Sequence, residues 1–208
     1  MSDEKSVLIV VDVQNDFCPG GALAVPHGDE VVPVINALAQ KFRHVAATQD
    51  WHPKGHISFA SSHPGHKPYE VVEVAYGPQV LWPHHCVQGS RGARIVDGLS
   101  IPHAELLIRK GYYKDTDSYS GFKEADRVTR TGLAGYLRER GFTTVYCAGL
   151  ATDFCVNWTA LDAAAEGFKT FVIEDACRAI DLNNSLEAAR AGWRKAGVTA
   201  LLSAEVTG

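Results

Sequence analysis

The stretch TTVYCAGLATDFCVNWTALDAAAEG, residues 143–167, holds an apolar run followed at once by an amphipathic pattern. From Asp153 onward, apolar residues return at helical spacing until Gly167, a residue type that commonly follows the last turn of a helix. A buried strand that leads into a helix is the repeating unit of parallel α/β sheets. Because Thr152 and Asp153 are residue types that cap helices, Cys155 is predicted to lie in the first helical turn.

Five further segments share the near-continuous apolar character of strands that are buried on both faces: residues 6–13, 44–50, 104–111, 169–176 and 198–203. Between them lie amphipathic patterns that predict helices: residues 31–42, 125–140 and 184–196. The alternation predicts a doubly wound, Rossmann-like α/β fold with a mainly parallel six-stranded sheet and helices on both faces. We expect a single domain over residues 1–208, since this length suffices for one sizeable core.

Charge and cysteine content restrict the class of protein. The formal net charge of −4, with both signs dispersed, is not the pattern of a nucleic-acid-binding protein, so we expect a small-molecule partner. The acidic amino end does not look like a signal peptide, and no apolar run approaches the ~18 residues that cross a bilayer. Five cysteines without a CxxC pair fit neither a disulfide framework nor a zinc ribbon, which predicts a cytoplasmic protein. A homo-oligomer is possible.

One segment, at about residues 51–104, breaks the alternation of strands and helices. It has no sustained period, yet residues 51–103 hold six of the nine prolines and seven of the nine histidines. Long irregular segments in compact domains are usually functional or disordered, and the tryptophans and histidines argue against disorder. We therefore expect this segment to form a metal site or a lid.

Ionisable side chains follow four of the predicted strands at the point where each strand ends: Asp12, Asp50, Lys110 and, after a turn, Cys155. Ligands of open parallel sheets bind beyond the carboxyl ends of the strands, so these residues are expected to lie along one edge. The helix dipole and a nearby Lys110 ammonium would lower the pKa of the Cys155 thiol. Asp12 could take the thiol proton and return it to a leaving amine. These residues predict acyl transfer through a cysteine nucleophile.

A possible metal site accompanies the thiol. Asp50 and His52 lie two residues apart in an extended segment, so both side chains point to the same side. One carboxylate and one imidazole form half of a site for a divalent first-row metal, and His85 would supply a third ligand. We favour zinc, with iron or manganese as alternatives.

Five blocks of sequence carry a resemblance to a known family: DVQNDFCPGGALAVPHG (12–28), TQDWHPKGHISFA (48–60), WPHHCVQG (82–89), RKGYYKDTDSYSGF (109–122) and GLATDFCVNWTALDA (149–163). In this order they resemble the nicotinamidase (pyrazinamidase) branch of the isochorismatase-like cysteine hydrolases. The resemblance implies the isochorismatase-like hydrolase fold and the deamidation of nicotinamide, and of pyrazinamide, through a cysteine thioester. It places the reaction in NAD salvage or in the catabolism of a pyridine compound.

The resemblance also implies roles for residues at the matching positions. Asp12, Lys110 and Cys155 match the catalytic triad of the family. A cis peptide bond between Leu150 and Ala151 would aim the amides of Ala151 and Cys155 at the substrate oxygen, as an oxyanion hole.

Further matching positions concern the metal and the substrate ring. The metal ligands implied are Asp50, His52 and His85. His56 is an additional candidate in some relatives, and it could instead bind a coordinated water or line the cavity. The walls implied for a flat heteroaromatic ring are Phe17, Trp82 and Tyr119. In this branch the ion orients the substrate by its ring nitrogen, and no nucleotide cofactor is expected.

The remaining cysteines and histidines are expected to have structural or surface positions. The cysteines of this group are Cys18, Cys86, Cys147 and Cys177. Cys86 follows a proposed ligand and could contact the site. The histidines of this group are His63, His66, His84 and His103.

Other classes of function remain open from the sequence. A metal-dependent hydrolase could use an activated water with no covalent step, in which case Cys155 would be dispensable. A related cysteine amidase would act on maleamate or on a carbamoyl compound. A papain-like dyad needs a histidine base, but no histidine follows Cys155. A dinucleotide oxidoreductase needs a GxGxxG turn, which the first strand lacks, and a binding module would have no use for an intact Asp12, Lys110 and Cys155.

Overall fold

The first apolar run forms strand β1, Ser6–Val11, and all six of its residues are buried. The computed structural model describes residues 3–206, and the other strands in this range are β2 (Val45–Asp50), β3 (Val71–Val74), β4 (Gly77–Val80), β5 (Ala104–Lys110), β6 (Thr144–Leu150), β7 (Lys169–Arg178) and β8 (Thr199–Leu201). Six of the strands form one sheet in the order β5-β2-β1-β6-β7-β8, and every pairing in it is parallel. The predicted six-stranded sheet is therefore confirmed.

Helices cover both faces of this sheet: α1 (Val31–Ala39), α2 (Leu133–Glu139), α3 (Asn157–Ala165) and α4 (Ser185–Ala196). Leu8 of β1 packs into the same core as Ile35 of α1, whereas Ile9 packs into the opposite core, with Leu137 of α2 and Trp193 of α4. Successive side chains of one strand thus enter two separate cores, as the pleat of a strand requires. None of the helices in the described range combines the length and hydropathy that a membrane span needs.

The helix predicted over residues 125–140 is wrong in its first half, because α2 begins only at Leu133. The Asp126 carboxylate accepts hydrogen bonds from the backbone N–H groups of Val128 and Thr129, and Arg127 adopts a positive φ of 63°. An aspartate that bonds to its own backbone in this way competes with helix formation. This part of the segment is therefore a turn in front of α2.

The helix after β6 also begins differently from the prediction. Residues Thr152–Val156 form a π-helical turn, and α3 starts after it. Asp153 does not cap this turn, because its carboxylate accepts hydrogen bonds from the Ser185 hydroxyl and from two backbone N–H groups after β7. Cys155 lies in the turn and is buried. The predicted place of Cys155 is correct, but a widened turn that is tied to a neighbouring loop presents it.

The segment after β2 is largely irregular, as predicted, but it contains a hairpin that the sequence did not reveal. Strands β3 and β4 pair antiparallel, and the chain turns through Ala75 and Tyr76 before Gly77, the first residue of β4, whose φ is +113°. Each strand has only four residues and little burial, so the alternation is too short to detect. Elsewhere the segment folds back on itself, through bridges from His52 to Val87 and from Phe59 to Trp82. The irregular segment therefore lies over the end of β2.

Candidate active site

Four ionisable side chains meet at the carboxyl ends of four neighbouring strands, β5, β2, β1 and β6. Asp50 and Lys110 are the last residues of the adjacent strands β2 and β5, and they are register partners. Asp12 directly follows β1, and Cys155 lies in the π-helical turn after β6. All four are buried, and Asp12 and Lys110 are 0% exposed. The parallel sheet thus brings together the residues that the sequence predicts to lie along one edge.

The Lys110 ammonium joins these side chains. Its Nζ lies 2.8 Å from Asp12 Oδ2 and 2.5 Å from Asp50 Oδ1. It also donates a hydrogen bond to the Ser118 carbonyl at 3.0 Å and stands 3.4 Å from Cys155 Sγ. Burial alone would lower the pKa of Lys110, but the two carboxylates outweigh it and hold the pKa well above its usual value. The site therefore contains a cation that stays charged.

Asp12 is held as a buried carboxylate beside the thiol. Its backbone is left-handed, with φ of 47°, which is uncommon for a residue other than glycine. Thr48 Oγ1 donates a hydrogen bond to Asp12 Oδ1 at 2.6 Å and accepts one from the Asp12 N–H at 3.2 Å. Burial raises the pKa of Asp12, although the Lys110 cation opposes this. A carboxylate oxygen of Asp12 lies within 4.8 Å of Cys155 Sγ, a suitable place for a general base.

Burial and several nearby charges act together on the pKa of the Cys155 thiol. Burial raises the pKa of Cys155 well above its usual value, Lys110 opposes this, and the carboxylates of Asp12 and Asp50 add to it. Lys110 therefore acts on the pKa of the thiol in the predicted direction, but it does not set the net shift. The physical reason is that two carboxylates and a dry environment outweigh one ammonium. The thiol must lose its proton as it attacks.

A group suited to a divalent metal lies beside the thiol. Ligand atoms of Asp50, His52 and His85 all lie within 4.8 Å of one another. Asp50 Oδ2 is 3.2 Å from His52 Nε2 and 3.6 Å from His85 Nε2. His52 Nδ1 bonds to the Gly111 carbonyl at 3.0 Å, and His85 Nδ1 bonds to the Pro83 carbonyl at 2.7 Å. These carbonyl oxygens accept the Nδ1 protons, so both Nε2 atoms keep a lone pair that can bind a metal ion.

His56 lies next to this cluster. Its ring stacks on that of His52, with centroids 4.1 Å apart, and it forms a second possible group with His52 and Asp117. Its Nδ1 is 2.8 Å from Ser58 Oγ, and its Nε2 is 3.2 Å from the Thr116 carbonyl oxygen. Burial lowers the pKa of His56 to about 4, so the ring is neutral. Both ring nitrogens have protein partners, and His56 supports the position of His52 by stacking.

A cavity lies between the metal cluster and Cys155, and its apolar lining consists of Phe17, Leu23, Trp82, Tyr119, Phe154 and Ile180. All three predicted ring walls are in this set. The Phe17 ring lies 5.6 Å from the His85 ring, and Trp82 Nε1 donates a hydrogen bond to the Tyr119 hydroxyl at 2.9 Å. Asp50, His52 and His85 line the same cavity. A flat aromatic ring would find apolar walls on one side and metal ligands on another.

Sequence reasoning missed part of this lining. Phe154 directly precedes Cys155, and its ring lies 4.9 Å from that of Trp82. Its place beside the nucleophile was the signal that could have identified it. Leu23 and Ile180 lie in loops, where no periodicity predicts which side chain faces inward.

The backbone before the thiol has the form that the resemblance implies. The peptide bond between Leu150 and Ala151 is cis. Ala151 and Cys155 both line the cavity. The two residues expected to form an oxyanion hole therefore lie at the same cavity.

Outside the site, the other residues have the expected surroundings. Four further cysteines are free and buried: Cys18, Cys86, Cys147 and Cys177. Four histidines are exposed or half-buried: His63, His66, His84 and His103.

The fold and the buried cluster match one class of protein. The model of the isochorismatase domain family matches residues 6–205. The chain therefore belongs to the isochorismatase family of α/β proteins.

Within that family, the chain is similar to proteins that are nicotinamidases. It is 55% identical to the nicotinamidase of Acinetobacter baylyi over 199 residues, which cover 96% of this chain and 93% of the relative. A solved Acinetobacter baumanii nicotinamidase and pyrazinamidase has a TM-score of 0.98 and 56% identity, with all of both chains covered.

Two further solved structures contain ligands. PnC1 from L. infantum in complex with nicotinate has a TM-score of 0.87 and 40% identity, covering 100% of this chain and 98% of that one. The pyrazinamidase of Pyrococcus horikoshii in complex with zinc has a TM-score of 0.78 and 37% identity, covering 95% and 99%.

Proposed function

We propose that the protein is an amidohydrolase that deamidates nicotinamide to nicotinate and ammonia and also accepts pyrazinamide. The observation that carries this proposal is the position of Cys155 Sγ, 3.4 Å from the Lys110 ammonium and within 4.8 Å of an Asp12 oxygen, at the wall of an aromatic-lined cavity. Relatives with high identity over nearly the whole chain are nicotinamidases and support the same substrate.

The first half of the reaction forms a thioester. Asp12 takes the Cys155 thiol proton while the sulfur attacks the carboxamide carbon, and the carbonyl electron pair moves onto oxygen. The backbone amides of Ala151 and Cys155 stabilise that oxyanion, and losing one such donor typically costs about 3 kcal/mol. When the intermediate collapses, the C–N bond breaks and Asp12 returns the proton to the departing ammonia. Lys110 stays charged throughout and keeps the carboxylate beside the sulfur.

The second half of the reaction restores the thiol. Asp12 takes a proton from a water molecule that attacks the thioester carbon. The C–S bond then breaks, nicotinate leaves, and the sulfur regains its proton. Burial raises the pKa of Asp12, which makes its carboxylate a stronger proton acceptor than an ordinary aspartate.

Asp50, His52 and His85 would hold a divalent metal, which when bound supplies a Lewis acid that orients the ring by its pyridine nitrogen. The zinc-bound Pyrococcus horikoshii relative supports zinc, although the same donors suit iron or manganese. Phe17, Trp82 and Tyr119 form the apolar walls that exclude water from the ring. No nucleotide cofactor takes part in this proposal.

The cellular setting is a further part of the proposal. The free thiols of all five cysteines support a reducing, cytoplasmic compartment. Both NAD salvage and the catabolism of pyridine compounds contain a step that releases ammonia from nicotinamide.

The test measures ammonia release from nicotinamide, pyrazinamide and maleamate by the wild type and by Cys155→Ala. We expect nicotinamide and pyrazinamide to be hydrolysed, maleamate to be poor, and Cys155→Ala to lose at least about 10⁴ in kcat, as is typical when a nucleophile is removed. The matched control is Cys147→Ala, which truncates another buried cysteine that lies within β6 and away from the cavity.

Three outcomes separate the alternatives. Activity of Cys155→Ala close to wild type would contradict covalent catalysis and favour a metal-activated water. Preference for maleamate would overturn the substrate assignment alone. An equal loss in Cys147→Ala would assign the effect to packing and would contradict the special role of Cys155.

A further inference from the structure

Gln14 is a fully buried amide close to the site, yet none of the steps above uses it. Its relative exposure is 0%, and it lies two residues after Asp12. The backbone ladder between β1 and β2 ends at the pair Val10 and Ala47. The last residues of β2 therefore extend beyond the backbone pairing that β1 provides.

Side chains continue the ladder past this point. Thr48 pairs with Asp12, as described above, and Gln14 pairs with Asp50. Gln14 Oε1 accepts a hydrogen bond from the Asp50 N–H at 2.8 Å, and Gln14 Nε2 donates one to the Asp50 carbonyl at 2.9 Å. The same Nε2 donates to the Ala93 carbonyl at 2.9 Å. The primary amide of Gln14 thus takes the place that a peptide group of a neighbouring strand would have.

The Asp50 carboxylate belongs both to the metal cluster and to the group of charges around Lys110. Its Oδ1 bonds to Lys110 Nζ at 2.5 Å, and its Oδ2 faces His52 Nε2 at 3.2 Å and His85 Nε2 at 3.6 Å. Metal ligands and reacting groups must be held within roughly 0.5 Å of the productive geometry. Whatever fixes the backbone of Asp50 therefore fixes the carboxylate that the metal cluster and the Lys110 ammonium share.

We propose that Gln14 is a positioning residue, which places the Asp50 carboxylate by bonding to both polar groups of the Asp50 backbone and thereby sets the affinity of the site for a divalent metal. This inference rests on the proposed function, because it assumes that Asp50, His52 and His85 bind the ion. Gln14 itself touches neither the metal ligand atoms nor the substrate cavity.

The chain offers a closely matched control in Gln49. Its side-chain Nε2 also donates to the Ala93 carbonyl, at 2.8 Å, and Gln49 is also buried, with 5% exposure. Gln49 Oε1 accepts a hydrogen bond from Arg109 and not from the Asp50 backbone. Replacing either glutamine by methionine keeps the side-chain length and removes a bond to the same carbonyl, but only the change at position 14 frees Asp50.

The experiment titrates metal-free protein with Zn²⁺ in competition with a chromophoric chelator. We expect Gln14→Met to bind Zn²⁺ about 10–100-fold more weakly than the wild type, the usual loss when a group that orients a metal ligand is removed. Gln49→Met should stay within about threefold of the wild type. Thermal unfolding of the metal-free proteins checks that both variants fold.

A second variant covers the case in which Gln14→Met does not fold. Gln14→Glu keeps the shape and the acceptor for the Asp50 N–H but loses the donor to the Asp50 carbonyl, so its Zn²⁺ affinity should also fall, by about tenfold. Wild-type affinity in a folded position-14 variant, or an equal loss in Gln49→Met, would overturn the inference. A wild-type protein without affinity for Zn²⁺ would instead refute the metal site of the proposed function, and the inference with it.

Discussion

At the scale of single residues, the site depends on how charge is arranged where water is excluded. One ammonium, on Lys110, lies between the carboxylates of Asp12 and Asp50. Burial, together with this excess of negative charge, raises the pKa of both the Cys155 thiol and the Asp12 carboxyl. The hydrogen bond from Thr48 is a way to test this balance.

Replacing Thr48 by valine should impair the base while keeping the shape of the side chain. The Thr48 hydroxyl bond to Asp12 lowers the pKa of that carboxyl, so its loss should raise the pKa further. Because Asp12 must be deprotonated to act, the acid limb of kcat/KM should move to higher pH by about one unit, with a fall in kcat of about tenfold. A pH profile of nicotinamide hydrolysis measures both. Thr170→Val, another buried threonine, is the control, and an unmoved acid limb in Thr48→Val would contradict the prediction.

Glu124 should make stability depend on pH. It is 3% exposed, and burial raises its pKa from 4.5 to about 7. A folded-state pKa above the unfolded value gives stability that is present below about pH 4.5 and is lost as the pH rises through about 7, by up to roughly 3 kcal/mol. Glu124→Gln cannot ionise and should lose none of it. Urea unfolding at pH 5 and pH 8 would compare the two proteins, and parallel pH dependences would refute this assignment.

At the scale of elements, the sequence predicted where the connection after β6 places the thiol, but it did not predict the local form of that connection. The apolar run and the helical pattern placed Cys155 at the end of a central strand. Sequence reasoning did not predict the π-helical turn or the hydrogen bonds from Asp153 to the loop after β7. It also did not predict that α2 begins at Leu133. Each of these features is decided by a local or tertiary hydrogen bond. Periodicity reports which face is apolar, and it does not report such bonds.

Gly149 should be intolerant of any side chain. A Cβ at this position would lie 2.1 Å from the Val11 carbonyl oxygen, and its φ is +128°. We expect Gly149→Ala to lower the free energy of unfolding by about 3 kcal/mol or more, from clash and backbone strain together.

Gly135 is the matched control within a helix. A Cβ there meets no atom within 4 Å, and the residue lies inside α2. Gly135→Ala should stabilise the protein by about 0.5–1 kcal/mol through helix propensity. Denaturant unfolding of both variants measures the two changes in the free energy of unfolding. Similar changes of the same sign would contradict the predicted clash at Gly149.

At the scale of the whole molecule, topology accounts for most of what the sequence predicted. Parallel strands bring their carboxyl ends to one edge, so Asp12, Asp50, Lys110 and Cys155 could be grouped from strand order alone. The roles of Gln14 and Thr48 could not be foreseen, because a side chain that continues a ladder has no pattern of its own. The net rise in the pKa of the Cys155 thiol could not be foreseen either, because it depends on the sum of burial and three nearby charges.

Removal of the metal should abolish activity and leave the fold intact. The bonds from Lys110 to Asp50 and from the two histidines to backbone carbonyls do not involve the ion. We expect a chelator to lower kcat/KM for nicotinamide by at least about 10²-fold, because the ring loses its orientation. Circular dichroism should stay unchanged, and added Zn²⁺ should restore activity. Full activity after complete metal removal, checked by elemental analysis, would refute a role for the ion.

The most direct test of covalent catalysis is rapid acid quenching with ring-labelled nicotinamide, followed by peptide mapping. The account predicts label on the peptide that carries Cys155 during turnover, and its disappearance as nicotinate forms. Label attached to any other residue, or none on any peptide at any quench time while nicotinate forms at the full rate, would contradict the thioester.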